Sequence, residues 1–367
     1  MRWSPSSSPH RQPEPRYCRH RPAKGLQRIS CHQSRPEAHG RLHANTQPVY
    51  GWTMVQATVI IAAWNCENSL GESVKSALAQ SGVRLEIIVV DDCSTDGTGA
   101  RADALAAAHP QVRVLSQPRN GGPAAARNAA LAVATGEWVA VLDADDTFRP
   151  GRLAALIDLG DRTGADIVCD GLVMHDAARQ SHKTAALAFD GDPEARDWTL
   201  GDYTAGNMHG TKGLSLGYLK PIFRRAFLVT HGLRYDDHLR NGEDFHFVLE
   251  ALARGAVMRF RAEPGYVYSV GQASVSHRLN PDHAARLATA DLAFVARHGA
   301  GLGAENIAMM RHRARSVRDL ASAELALAAL RQGDPFAALQ TLWRRPRASG
   351  RFVRQLSQAM ANRLRRR

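Results

Sequence analysis

Glu137-Trp-Val-Ala-Val-Leu-Asp-Ala-Asp-Asp146 is the stretch on which the reading of this chain turns. Trp138–Leu142 is short, apolar and rich in valine, the pattern of a strand buried on both faces of a parallel sheet. It ends abruptly in Asp143, Asp145 and Asp146. In open α/β sheets ligands bind beyond the carboxyl ends of the strands. Carboxylates pack poorly there but are well placed to hold a cation. Mg²⁺ and Mn²⁺ take oxygen ligands, commonly one or two carboxylates together with substrate phosphates. The stretch therefore suggests a metal–diphosphate site. A second reading is a helix N-terminus, because Pro150 follows and acidic residues favour the first turn of a helix. The stretch alone leaves both open.

Working outward, strand and helix patterns alternate from Thr58. Apolar strands are expected at Thr58–Ala63, Leu85–Val90, Val112–Leu115 and Asp166–Cys169, and helices at Ser69–Gln80, Thr98–Ala108, Pro123–Ala134 and Arg152–Leu159. Pro123 suits the first turn of its helix. Alternation with short links implies right-handed βαβ units, and hence an α/β fold with a mostly parallel central sheet flanked by helices. The first strand runs into Trp64-Asn65 and the second into Asp91-Asp92. Acid directly after two buried runs weakens the helix-cap reading of the set. Residues 183–220 are irregular and polar, as expected of a substrate-facing region. Gly217–Thr230 reads as a strand entering a short helix, Phe245–Leu252 as a helix, and Val257–Phe260 and Gly265–Val270 as strands. Residues 282–343 read as a helical extension.

The net charge of +12 is concentrated at the ends. Residues 1–53 carry +7 and residues 344–367 carry +9, so the 290 residues between carry −4. A nucleic-acid-binding domain would carry its charge on a folded face with interleaved aromatics, and the body has no such pattern; no nucleic-acid partner is expected. Residues 1–53, rich in Pro, Ser, Arg and His, are expected to be a disordered basic extension. Met54 directly precedes the first strand and is the expected true start, with a basic tethering arm as the alternative. Arg351–Arg367 places Phe352, Leu356, Met360 and Leu364 in one row among arginines. Such a basic amphipathic helix suits either contact with the inner face of an anionic membrane or a solvated tail. The five cysteines form no C-x-x-C pair, and no apolar run reaches the roughly 18–20 residues that span a bilayer. A cytoplasmic protein, peripheral on the membrane or not, is expected.

Five stretches, in this order and spacing, resemble a known family: Ile60–Asn65, Val90-Asp-Asp-Cys-Ser-Thr-Asp-Gly97, Asn120-Gly-Gly-Pro-Ala-Ala-Ala-Arg-Asn128, Leu142–Asp146 and Gly242-Glu-Asp244. Together, over roughly residues 56–280, they resemble a family 2 glycosyltransferase of the GT-A fold, in closer detail the bacterial succinoglycan and exopolysaccharide type. Two features depart from the family pattern. The first strand ends Ala62-Ala63-Trp64-Asn65 where Pro-Ala-Tyr-Asn is usual, and the Gln-x-x-Arg-Trp motif of processive members is absent, which points to addition of a single sugar. The resemblance implies a GT-A domain over 54–280, divided into a nucleotide-sugar half (54–172) and an acceptor half (173–280). A helical extension (281–343) and a basic amphipathic tail (344–367) follow.

The resemblance implies a nucleotide-diphospho-sugar donor, a glycan or lipid-linked glycan acceptor, and a divalent metal, Mn²⁺ or Mg²⁺. Ala63, Asn65, Asp91, Asp92, Arg127 and Asp143 are then expected at the donor. Asp91, acceptor-only when ionised, suits the N–H of a uracil-like base; its alternative is a cap on the turn Ser94–Gly97, for which Asp96 is the better candidate. Gly121-Gly122 would let phosphate approach the amides at the helix start. Arg127 would reach a phosphate or pair with the acidic cluster. Asp145 would hold the metal directly, with Asp143 at the ribose or the metal's water shell, while Asp146 stays divided between metal and helix cap. His277 lies where some relatives place a metal or phosphate contact. Asp244 would be the general base and Glu243 its orienting partner, giving an inverting displacement; the alternative is plain helix N-terminal charge. Two further functions stay open: a nucleotide-sugar-binding domain without catalysis, and a sugar nucleotidyltransferase, although the Gly-rich basic loop of the latter is missing.

Overall fold

Three adjacent strands are buried almost throughout: β1 (Ala57–Ala63), β2 (Leu85–Asp91) and β4 (Trp138–Val141). Such strands need protein on both faces. Helices α1 (Leu70–Leu78), α2 (Thr98–Ala108) and α3 (Pro123–Leu131) cover them, α1 burying Leu70, Val74 and Ala77. With β3 (Val112–Ser116) the order is β3-β2-β1-β4, all parallel. The chain steps outward from β1 to β2 and β3, then returns past β1 to β4. The resulting switch point lies between β1 and β4, where a ligand crevice is expected beyond the carboxyl ends.

The structure, a computed structural model, describes residues 56–176, 181–208, 211–270 and 280–364. Residues 1–53 and Met54 lie outside them. Beyond β4 the sheet becomes mixed. β8 (Ile222–Arg224) joins β4 antiparallel, β6 (Ile167–Asp176) joins β8 antiparallel, and β9 (Met258–Val270) runs parallel to β6. β5 (Thr147–Phe148) closes the edge against β9, and β7 (Ser181–Thr184) pairs with β6. Parallel pairing thus accounts for most paired residues, but β8 divides it into two blocks.

β6 is longer than its apolar run suggests because β9 pairs with it as far as Asp176, across an irregularity at Asp170–Leu172. Position 172/173 therefore falls inside a continuous strand. The two strands expected at Val257–Phe260 and Gly265–Val270 are one. Within the stretch read as irregular, α5 (Leu200–Ala205) is fixed by a reciprocal Thr199–Asp202 capping box, and Leu216–Tyr218 forms a 3₁₀ turn. α4 (Arg152–Thr163) and α6 (Arg225–Thr230) follow β5 and β8.

α7 (Glu243–Ala253) is followed through the C-terminal part of the chain by α8 (Pro281–His298), α9 (Ala304–Arg331), α10 (Pro335–Arg344) and α11 (Ala348–Leu364). α8 lies along α7. Gly242, at φ +80°, precedes α7, and a Cβ there would meet Leu287 at 2.8 Å. One turn on, His246 Nε2 lies 3.0 Å from Asp291 Oδ1. One turn further, Glu250 accepts from Arg297 Nη2 at 2.5 Å and lies 2.9 Å from His298 Nε2. On α11, Arg351 and Gln355 donate to Ser316 and Glu324 of α9. Phe352 and Leu356, two of the apolar row of this helix, are half-buried beside them.

Glu250 is held at a pKa of about 2, because its hydrogen bonds to Arg297, Arg254 and His298 outweigh the burial that would raise it. A depressed folded-state pKa gives stability that is present above the unfolded value and lost as pH falls through the folded one. Thermal melts across pH should therefore lose stability between about pH 4.5 and pH 2, and Glu250→Gln should flatten that slope.

Candidate active site

The loops leaving β1 and β2 are latched together. Asn65, at φ +49°, accepts from the Thr95 amide at 2.8 Å, and its own amide donates to Ser94 Oγ at 3.0 Å. Asp91 Oδ1 accepts from the Ser94 amide at 3.1 Å, so Asp91 caps this turn together with Asp96, which accepts from the Thr98 amide at 3.0 Å. Ala63, expected at the donor, is fully buried in β1, and its carbonyl accepts from the Asp92 amide. Asp92, also expected there, turns inward: its two oxygens accept the Gly121 and Gly122 amides, each at 2.7 Å. A carboxylate of the protein itself thus holds the two glycine amides ahead of the helix start. The large apolar side chain that these loops leave outward is the Trp64 ring, 53% exposed.

The centre of the crevice is an ion cluster drawn from four elements. Arg127 of α3 is 4% exposed and donates from Nη2 to Asp143 Oδ1 at 2.7 Å, and from Nη1 to Glu243 Oε1 and Asp244 Oδ1, each at 2.9 Å. Of the two readings of Arg127, the structure takes the acidic pairing. Lys220, just ahead of β8, donates to Asp143 Oδ2 at 2.8 Å and Asp244 Oδ2 at 2.6 Å. Both oxygens of Asp143 and both of Asp244 therefore face a cation. Lys220 and Arg127 hold the Asp143 carboxyl well below the usual range against the burial that opposes them, whereas burial and then Asp244 push Glu243 up. Next to Arg127, Asn128 exchanges hydrogen bonds with the main chain of Tyr235 and donates to Asp237. Consecutive residues of α3 thus grip the segment that leads into α7.

Asp146 caps no helix. α4 begins after Gly151 without a side-chain cap; Asp146 instead accepts from the Tyr266 hydroxyl at 2.7 Å and the Ser269 amide at 2.8 Å, both on β9. The Asp143 amide donates to the same hydroxyl. Asp145 is the exposed member, with no ion pair or hydrogen bond to another residue among the described residues. Surrounding protein mass and then the Asp143 charge raise its pKa, a penalty that a bound cation would relieve. Among the described residues no three His, Cys, Asp or Glu side chains form a metal cage. One free carboxylate does fit a hard cation that takes its other oxygens from a substrate diphosphate and water. His277 lies outside the described residues. Asp170, on β6, is buried and paired with Arg152 at 2.7 Å.

The sequence profile of glycosyl transferase family 2 matches residues 58–214. Over 310 residues the chain is 36% identical to the succinoglycan biosynthesis protein ExoO of Rhizobium meliloti, covering 84% of this chain and 86% of that one. The chain belongs to glycosyl transferase family 2. Its fold is shared with S. aureus TarS 1-349, solved in complex with UDP-GlcNAc, at TM-score 0.51, 19% identity and coverage of 79% and 92% of the two chains. It is also shared with the mannosyltransferase PcManGT of Pyrobaculum calidifontis, solved with GDP-Man and Mn²⁺, at TM-score 0.50, 20% identity and 76% coverage of each. The GT-A architecture expected from the motifs is therefore present, and the chain is a glycosyltransferase.

In this glycosyltransferase the sequence reading did not single out Lys220 or Tyr266. A signal for Lys220 was present: it is the sole charge in Leu219-Lys-Pro-Ile-Phe223, ahead of a buried strand, and a lysine in such a run is buried only if paired. Lys220→Met would leave Asp143 and Asp244 with Arg127 as their one cation, shared with Glu243, and one oxygen of each unpaired. Breaking a buried pair costs about 3–5 kcal/mol. Asp143 contributes stability above its unfolded pKa that is lost as pH falls through the depressed value. Denaturant titrations should therefore show the full loss at pH 7 and a difference between variant and wild type that begins to shrink below about pH 4 and closes only as pH falls through the depressed value.

Proposed function

We propose that this glycosyltransferase moves one sugar, with inversion, from a nucleotide-diphospho-sugar to a glycan or lipid-linked glycan acceptor, with a divalent cation at Asp145 and Asp244 as the general base. The observation that carries the proposal is the shared guanidinium of Arg127, which bonds Asp143 at the strand end and Asp244 at the start of α7. Donor-side and base-side carboxylates are thereby fixed at one point of the crevice. The ligands named for TarS and PcManGT support a nucleotide-sugar donor, and the name of ExoO supports a role in exopolysaccharide synthesis.

In this reading the base of the nucleotide lies by Trp64 and the second oxygen of Asp91, the first being spent on Ser94. A divalent cation bound at Asp145 would supply Lewis-acid neutralisation of the leaving diphosphate. The acceptor hydroxyl gives its proton to Asp244 as its oxygen bonds the anomeric carbon, and the bond to the diphosphate breaks on the opposite face. For that transfer one Asp244 oxygen has to be released. Lys220, a point charge on a flexible stem, is the partner that swings aside, whereas Arg127 is held by three carboxylates. Arg127, itself held by Glu243, keeps the remaining Asp244 oxygen in place.

A positioned base contributes roughly 10²–10⁴-fold. Asp244→Asn should lower kcat by about that factor while calorimetry shows donor binding within a few-fold of wild type; turnover near wild type would exclude Asp244 as the base. Chelation with EDTA followed by dialysis should abolish nucleoside diphosphate release from a panel of nucleotide sugars, and Mn²⁺ should restore it. In Asp145→Asn the Mn²⁺ needed for half-activity should rise at least tenfold. Full activity in the chelated, dialysed wild type would overturn the metal assignment.

A further inference from the structure

The second chemically distinctive surface is at the C-terminal helices. A cleft of about 340 Å³ is lined by Arg315 and Asp319 of α9 and by Arg344, Arg345, Pro346 and Arg347 at the end of α10 and the link to α11. Four arginines meet one carboxylate, and among the described residues none of the four forms an ion pair. Unpaired guanidinium groups gathered around a cavity are a site for a phosphate-bearing ligand.

The helix that leads into this cleft carries an exposed apolar face. α10 buries Ala338, 3% exposed, and turns outward Phe336, Leu339 and Trp343, at 76%, 64% and 83% exposure. Their spacing of three and four residues places them on one face. They are three of the seven large apolar side chains that stand exposed among the described residues, so a ten-residue helix holds a disproportionate share. Arg344 and Arg345 follow Trp343 directly, and Pro335–Arg367 contains no acidic residue.

A soluble anion would fill the cleft and leave the apolar face in water. A second copy related by twofold symmetry would set like-charged arginine faces against each other. An anionic bilayer satisfies both features, because apolar and aromatic side chains enter the acyl boundary while arginines meet the headgroup phosphates. We propose that α10 and the arginine cleft are a docking surface for anionic membranes: α10 lies in the interface with Phe336, Leu339 and Trp343 inserted, and a lipid phosphate occupies the cleft of Arg315, Arg344, Arg345 and Arg347. The surface is α10, not the apolar row of α11, whose Phe352 and Leu356 are half-buried.

The test is sedimentation of the full chain with vesicles of phosphatidylcholine alone and of phosphatidylcholine mixed with phosphatidylglycerol. Wild type should bind the mixed vesicles at least tenfold more tightly than the neutral ones, and the emission of Trp343 should shift to the blue. Trp343→Phe should keep binding and lose that spectral change. The triple substitution Phe336→Ser, Leu339→Ser, Trp343→Ser should abolish binding. Arg344→Gln, Arg345→Gln and Arg347→Gln together should weaken it about a hundredfold, at about fivefold per arginine. All these side chains line the surface, and thermal melts matching wild type establish that the variants are folded. Equal binding to neutral vesicles, or binding unchanged in both triple variants, overturns the proposal. So does saturable binding of inorganic phosphate without vesicle binding, which would make the cleft a soluble-anion site. A concentration-dependent dimer that both triple variants abolish, with no vesicle binding, would likewise overturn it in favour of a contact between copies.

Discussion

A guanidinium cannot be taken out of water without its counter-charges, and Arg127 is almost completely out of water. The desolvation cost of an unpaired buried ion runs to several kcal/mol. It is offset here by carboxylates that come from residues 143, 243 and 244. None of the three can be absent, or displaced by a side-chain length, without exposing that cost. The end of β4, the body of α3 and the first turn of α7 are therefore held in one mutual arrangement by a charge that must be neutralised. The apolar contacts of the sheet bring these elements near each other; the ion cluster fixes how they meet. Lys220 adds a second bridge between Asp143 and Asp244 from the β8 side, so the cluster is closed from two directions.

This arrangement bears on how the two halves of a transfer reaction are joined. The carboxylate at the strand end and the proposed base share both of their cations. Anything that changes the charge at Asp143, a bound donor included, changes what Arg127 and Lys220 offer to Asp244. Coupling of this kind needs no moving domain. It needs only that counterions in a poorly solvated place be divided among more acceptors than they can fully satisfy. The pKa of Glu243 and that of Asp145 are raised first by burial and then by the neighbouring carboxylate, Asp244 for the one and Asp143 for the other.

The parts of the fold that were legible in the sequence are those written in short-range pattern. Short apolar runs gave β1, β2 and β4, the last two ending in acid, and helical spacing gave α1 to α4. The join of β6 and β9 into long paired strands was not legible, since Glu263-Pro264 reads as a break and only the partner strand carries the ladder across it. The site was half legible. Asp91, Asp143, Asp145 and Glu243-Asp244 stand out as charges where packing has no use for them. Asp92, Ala63 and Arg127 stand in equally suggestive places, yet their polar atoms are engaged with Gly121 and Gly122, with the Asp92 amide, and with the acidic cluster. Local pattern marks a charge as out of place, but not which residue a hundred positions away will neutralise it. That is also why the sequence left Arg127 open between a phosphate and the acidic cluster, and why the grip of Arg127 and Asn128 on the 235–244 segment emerges only in the fold.

The contacts of α8 on α7 at Gly242, His246 and Glu250 recur one turn apart and set a phase between two helices. A helix turns about 100° per residue. Insertion or loss of a single residue before Leu287 would thus rotate Leu287, Asp291 and Arg297 away together, even though the length of α8 changed by only about 1.5 Å. The connection between α7 and α8 can vary in sequence and length as long as α8 re-enters in register. Within α8, homologous exchange is constrained to whole-turn steps. The C-terminal helices thus act on the active site as a gauge of angle, and grafting them between relatives will succeed or fail on phase before any question of side-chain identity arises.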